Sequence, residues 1–109
     1  MAETVTAQPK KAPRKPDPMA RILADVKAEA KKITEFDVSP VPASRAQVHD
    51  GRSAAWGRQY AKDSSFDALL LSLAFEALAG LNDVEVRYSL TQLGAVVLDR
   101  IAQIDEAGK

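Results

Sequence analysis

The C-terminal half of the chain carries its clearest hydrophobic pattern. Apolar residues recur there every three or four positions, at Val86, Leu90, Leu93, Val97, Ile101 and Ile104. This spacing predicts an amphipathic helix from about residue 84 to residue 104. The preceding stretch, "LLLSLAFEALAGLND" at residues 69–83, is apolar on nearly every side, and Glu76 is its sole charged residue before Asp83. It predicts a central helix.

Polar and small residues mark the ends of these two helices. Ser64 or Ser65 is a suitable N-cap for the first, and Gly80 or Asn82 ends it. Asn82 or Asp83 caps the second. The C-terminal half is therefore predicted to be an antiparallel helical hairpin. The apolar stripe of its last helix indicates either ordinary core or a seam between two copies of the chain.

An earlier amphipathic helix begins at Asp17 and Pro18, an N-cap acceptor followed by a proline in the first helical position. Its apolar positions are Met19, Ile22, Leu23, Val26, Ala30 and Ile33. Thr34 and the run "FDVSPVPAS" end this helix, because Pro40 and Pro42 favour extended backbone. We expect the apolar residues of that linker, Phe36, Val38 and Val41, to pack across the bundle.

Residues 44–62 predict a weaker helical segment. Gly51 and Gly57 each lower helix stability by about 1 kcal/mol relative to Ala, so one irregular helix or two short ones are expected. Trp56 and Tyr60, four positions apart, are expected to anchor it to the core. With Arg58 and Lys62 they could instead form a clamp for a base and a phosphate, so these four residues are candidate nucleotide-binding residues.

These patterns predict an all-α fold, a bundle of about four helices in one domain at residues 18–109. Residues 1–17 hold three of the six prolines and few large apolar side chains, which predicts a disordered tail. The four basic residues of this tail suit either a solubilising leader or a short basic arm for nucleic acid or an acidic partner.

Composition narrows the chemistry. The 109 residues include no cysteine, which excludes disulfides, thiolate metal sites and a cysteine nucleophile. Fifteen basic residues balance fifteen acidic ones, so dedicated nucleic-acid binding is not expected. No apolar run is long enough for a membrane span and no signal peptide is evident, so we expect a cytoplasmic protein with no membrane partner.

Few side chains offer catalytic chemistry. Glu76 can lie at the helix rim in water, pair with Arg58, Arg87 or Arg100, bind a metal ion, or become neutral if buried alone. His49 is the single histidine. Without an evident partner it is expected to be a loop or surface residue with no catalytic role.

Three segments together resemble a known family. They are "AAWGRQYAKD" at 54–63, "LLLSLAFEALAGLND" at 69–83 and "VRYSLTQLGAVVLDRIAQID" at 86–105. Their order and the hairpin resemble the MazG-like, all-α nucleotide pyrophosphohydrolases, including short versions from bacteriophages and actinobacteria. The resemblance covers residues 44–106, with the hairpin at about 64–106.

The resemblance implies a Mg²⁺ site built from glutamates on the two hairpin helices. The first set of glutamate positions corresponds to Ser72, Leu73 and Glu76, so only the third carboxylate is retained. On the next helix the acidic positions correspond to Ser89 and Gln92. Glu76 is thus the one residual metal-ligand candidate, and the resemblance implies a degenerate active site.

Three functions remain open. The first is a catalytically degenerate MazG-like domain that acts as an oligomerising interaction or nucleotide-sensing module without a cofactor. The second is a residual Mg²⁺-dependent nucleoside triphosphate pyrophosphohydrolase. The third is a structural or adaptor bundle that binds a partner protein. The family forms dimers or tetramers, and the broad apolar surface of the central helix also predicts a homodimer or homotetramer.

Overall fold

Four helices follow one another in the part of the chain that the computed structural model describes, residues 17–33 and 37–108. They are α1 (Pro18–Ile33), α2 (Ala43–Asp63), α3 (Phe66–Ala79) and α4 (Asp83–Ala107). Helix α3 packs against α2 and α4, and α1 contacts α4. The all-α prediction is confirmed over these ranges. The predicted tail lies outside the described residues, except for Asp17.

Helix α3 lies between α2 and α4 and is buried on two opposite sides. Ala68 and Ala77 are both buried. At 100° per residue, these two alanines lie about 180° apart around the helix axis. Their small side chains let a neighbouring helix approach from each side. These two buried sides agree with the predicted central position of this helix.

Side-chain caps fix the starts of α1 and α4. The Asp17 carboxylate accepts a hydrogen bond from the Met19 backbone N–H at 3.0 Å. Asn82 Oδ1 accepts one from the Glu85 N–H at 2.9 Å, and Glu85 Oε1 accepts one from the Leu81 N–H at 3.0 Å. Both predicted caps are confirmed, and the second holds the turn between α3 and α4.

The turn between α2 and α3 is built differently. Ser64 adopts a left-handed conformation with φ 53°. Ser65 occupies the N-cap position of α3, but its side chain makes no capping bond. Instead Asp63 holds the turn, because its carboxylate accepts from the Ser65 N–H at 2.9 Å and from the Gln59 amide at 2.8 Å. The Gln59 hydrogen bond, followed by that of Ser65, lowers the pKa of Asp63 below 3.8.

Two local expectations have different outcomes. Of one helix or two short ones over residues 44–62, the first is observed, because α2 runs for 21 residues through both Gly51 and Gly57. A hydrogen bond to α3 supports this helix, because the Ser53 hydroxyl of α2 donates to the Ser72 carbonyl at 2.9 Å. In the linker, Val38 does not pack across the bundle, since it is 86% exposed. Phe36 lies outside the described residues.

The core is much thinner than the hydrophobic pattern predicts. In the described ranges the buried apolar residues are Ile22, Ala68 and Ala77. Helix α1 buries Ile22 alone because, among the described helices, it packs on α4 only. Large apolar side chains of α4 remain exposed as well, at Leu90, Val97 and Ile104. A single copy therefore leaves much of its apolar surface in water.

Candidate functional site

A cavity of about 630 Å³ lies where α2, the end of α3 and the start of α4 meet. Eleven residues line it: Ala43, Ala46, Gln47, Asp50, Glu76, Ala79, Gly80, Leu81, Glu85, Tyr88 and Ser89. Three of them are carboxylates, one from each helix, and none is basic. The cavity combines a negative potential with alanine walls.

Glu76 is an exposed residue on the wall of this cavity. It forms no ion pair or hydrogen bond with any described residue, so the predicted pairing with Arg58, Arg87 or Arg100 is absent there. Glu76 therefore lies at the exposed rim of the cavity. Its charge is available to a ligand.

The other polar groups of the cavity differ in the hydrogen bonds and ion pairs that they already form. Glu85 uses one carboxylate oxygen to hold the α3–α4 turn. Asp50 has no hydrogen bond or ion pair with another described residue. Ser89 is only 4% exposed, yet its hydroxyl has no hydrogen-bond partner in the described ranges. Among the described side chains, the fully buried atom without a partner is His49 Nδ1, so the Ser89 hydroxyl keeps some contact with the open cavity that it lines.

These residues do not fit the Mg²⁺ ion that the family resemblance implies. Such an ion needs several oxygen ligands in a near-octahedral arrangement. In the described part of the chain, no three His, Asp or Glu side chains lie close enough together to hold a metal ion. At the positions corresponding to family glutamates, the Ser72 carbonyl accepts from Ser53, and Gln92 donates to the Tyr88 hydroxyl at 3.4 Å. Leu73 offers no ligand atom.

The candidate nucleotide-binding residues do not share one face. On the continuous helix α2, Trp56 and Tyr60 lie on one side, and Arg58 and Lys62 lie roughly half a turn away. Trp56 is half-buried, which matches its predicted anchoring role, whereas Arg58 and Lys62 are exposed. Tyr60 lines a second hollow of about 320 Å³ with Phe66 and Arg100. None of the four lines the larger cavity.

His49 is not the loop or surface residue that the sequence predicts. It lies half-buried within α2 and stacks on Phe75, with ring centroids 5.6 Å apart. Its Nδ1 atom is buried without a hydrogen-bond partner in the described residues. The Arg52 guanidinium lies 5.8 Å from the centre of the same Phe75 ring. These contacts make His49 part of the α2–α3 packing.

Sequence reasoning missed most of the cavity. The sequence predicts a site residue at Glu76 but not at Asp50 or Glu85, because the three lie on different helices and their proximity depends on the packing. It indicates Ser89 only as a position where the family resemblance implies a carboxylate. A local signal existed for Glu85, which stands three residues after the N-cap Asn82 as in a capping box.

Comparisons with known proteins give no relative: the chain matches no protein-family model, no curated protein and no solved structure. None of the described helices combines the length and the hydropathy that a membrane crossing requires.

Proposed function

We propose that this protein is a catalytically degenerate MazG-like helical domain that acts as an interaction module by assembling with a second copy of itself. The observation that carries the proposal is the thin core. A domain of this size ordinarily buries many large apolar side chains, whereas here Ile22 is the one large apolar residue buried in the described ranges. A second copy supplies the missing cover.

The surface for this assembly is the outer stripe of α4, defined by Leu90, Gly94, Val97 and Ile104. These positions lie within about 80° of one another around the helix axis. Leu90 is 51% exposed and Ile104 is 55% exposed. The stripe follows the spacing of a helix–helix seam, and pairing with an identical stripe would remove its apolar surface from water.

Gly94 indicates how closely a second helix can approach. Apart from its own helix backbone, no described atom lies within 4 Å of the position that a Cβ would occupy there. Gly94 is thus an open, flat point between Leu90 and Val97. In a two-fold pairing of antiparallel α4 helices, residues near the middle of the stripe face their own counterparts.

Light scattering coupled to size exclusion tests this assembly on the wild-type chain. At tens of micromolar, we expect a mass of at least twice the 11.8 kDa of one chain. A mass of one chain at that concentration would refute the proposal.

Nucleotide sensing and residual hydrolysis receive less support from the geometry. The larger cavity presents Asp50, Glu76 and Glu85 without a basic residue, and this charge would repel a triphosphate. Incubation with nucleoside triphosphates and Mg²⁺ or Mn²⁺ tests both alternatives. Pyrophosphate release that is lost in Glu76→Gln would favour the hydrolase, and thermal stabilisation without hydrolysis would favour the sensor.

A further inference from the structure

The cavity between α2, α3 and α4 has features that self-assembly through the outer stripe does not use. Its volume of about 630 Å³ is suited to a small organic molecule and far exceeds the space that one bare ion fills. Asp50, Glu76 and Glu85 line it from three helices. Any ligand that enters meets negative charge on several sides.

Ser89 is an independent sign that the cavity takes a ligand. It is 96% buried, since only 4% of its surface is exposed, and it lines the cavity without a hydrogen-bond partner among the described residues. A ligand with N–H donors would give this hydroxyl the partner it lacks. Such a ligand would also offset the neighbouring carboxylate charges.

We propose that this cavity binds a linear aliphatic polyamine. The carboxylates do not converge closely enough to share one metal ion, so a ligand with several separated positive charges matches them better. Each ammonium group offers up to three N–H donors, which suit Asp50, Glu76 and Ser89. The methylene segments between the charges suit the apolar walls at Ala46 and Ala79. Glu85 contributes through the oxygen that the turn leaves unused.

Isothermal titration with spermidine at fixed ionic strength tests this site on the full chain. We expect saturable binding to the wild type and at least tenfold weaker binding to Asp50→Asn and to Glu76→Gln. Asp25→Asn is the matched control. The substitution removes the same charge from an exposed aspartate of α1 that does not line the cavity. It should bind spermidine within about twofold of wild type. Circular dichroism checks that each variant keeps its helices.

Two further titrations, of Ser89→Ala with spermidine and of the wild type with MgCl₂, make the test more specific. Ser89→Ala keeps every charge and should still weaken spermidine binding several-fold, because the ligand loses one acceptor. Spermidine should shift the amide resonances of Ala46 and Ser89 in two-dimensional NMR spectra.

Three outcomes would contradict the site. Equal weakening of spermidine binding in Asp50→Asn and Asp25→Asn would overturn the proposal, as would the absence of saturation at millimolar spermidine. Equally tight binding of Mg²⁺ at the same residues would overturn the polyamine assignment.

Discussion

Two neighbouring residues of α4 reverse the usual rule of burial. Ser89 is polar and 4% exposed, whereas Leu90 is apolar and 51% exposed. They lie about 100° apart around the helix, so they belong to two different sides of it. The inner side lines the cavity, and the outer side carries the exposed apolar residues Leu90, Val97 and Ile104.

This reversal separates two roles within one helix. An exposed leucine is unremarkable alone, but Leu90 stands in line with Val97 and Ile104, which are also exposed. Contiguous apolar surface of this kind marks an interaction site. A buried serine beside carboxylates marks the inner side as a polar recess. The fold of one copy therefore accounts for neither side by itself.

Breaking the outer side should have the largest effect. We expect the double variant Leu90→Lys and Val97→Lys to weaken self-association by about a hundredfold or more, because two charges would replace the apolar contacts of the seam. Light scattering at tens of micromolar should then give the mass of one chain. Helix content should persist, since both side chains are exposed in a single copy.

The matched control uses the same residue types outside the stripe. Leu81 and Val84 are both more than three-quarters exposed. The double variant Leu81→Lys and Val84→Lys should keep the wild-type mass. If both double variants dissociate equally, general charge repulsion is responsible and the stripe has no special role.

The turn that holds α4 against α3 should show the next largest effect. A Cβ at Gly80 would lie 2.6 Å from Val86 Cγ2 and 3.2 Å from the Val86 backbone nitrogen. We expect Gly80→Ala to lower the free energy of unfolding by about 1–3 kcal/mol through this overpacking. Urea titration measures the change. Gly51→Ala, where no described atom crowds the new Cβ, should instead be neutral or stabilising.

A smaller difference should distinguish the two helix caps. Asn82→Ala removes the side-chain acceptor of the Glu85 N–H and should cost about 1 kcal/mol. Ser65→Ala, at the N-cap of α3, should have much less effect because the Ser65 side chain makes no capping bond. Thermal unfolding of the two variants compares them directly. Equal losses would contradict the difference between the turns.

The inner side of α4 should show the smallest stability effect. Ser89→Ala, without added ligand, should change the free energy of unfolding by less than about 0.5 kcal/mol, because the hydroxyl has no partner to lose. Denaturant titration can resolve a larger change. A loss above 1 kcal/mol would mean that the hydroxyl is already engaged in the folded protein.

The positions of the helices could be predicted from the sequence because helix caps depend on residues only a few positions apart. Asp17 and Asn82 are capping residues whose acceptors lie within three positions of their donors, and both caps are observed. The glycines of α2 left open whether this segment forms one helix or two, because helix propensity does not include the hydrogen bond that Ser53 donates to the Ser72 carbonyl of α3. His49 misled for the same reason, since its Phe75 partner lies on another helix.

The cavity could not be predicted from periodicity. Asp50 and Ser89 are 39 positions apart, and only the packing of three helices brings them to the same recess. The sequence predicts the stripe of α4 to be either core or seam, because a hydrophobic period does not say which molecule covers it. The exposure of Leu90, Val97 and Ile104 in a single copy favours the seam.

Cross-linking at Gly94 tests the central claim most directly. The chain has no cysteine, so a single Gly94→Cys thiol reports only on its own surroundings. With a short bis-maleimide linker, we predict rapid conversion to a covalent dimer, because Gly94 lies near the middle of the paired stripes. Gly51→Cys, another helical glycine with open space around its Cβ position, should remain largely unlinked. Cross-linking of Gly94→Cys no faster than Gly51→Cys would contradict assembly through the outer stripe.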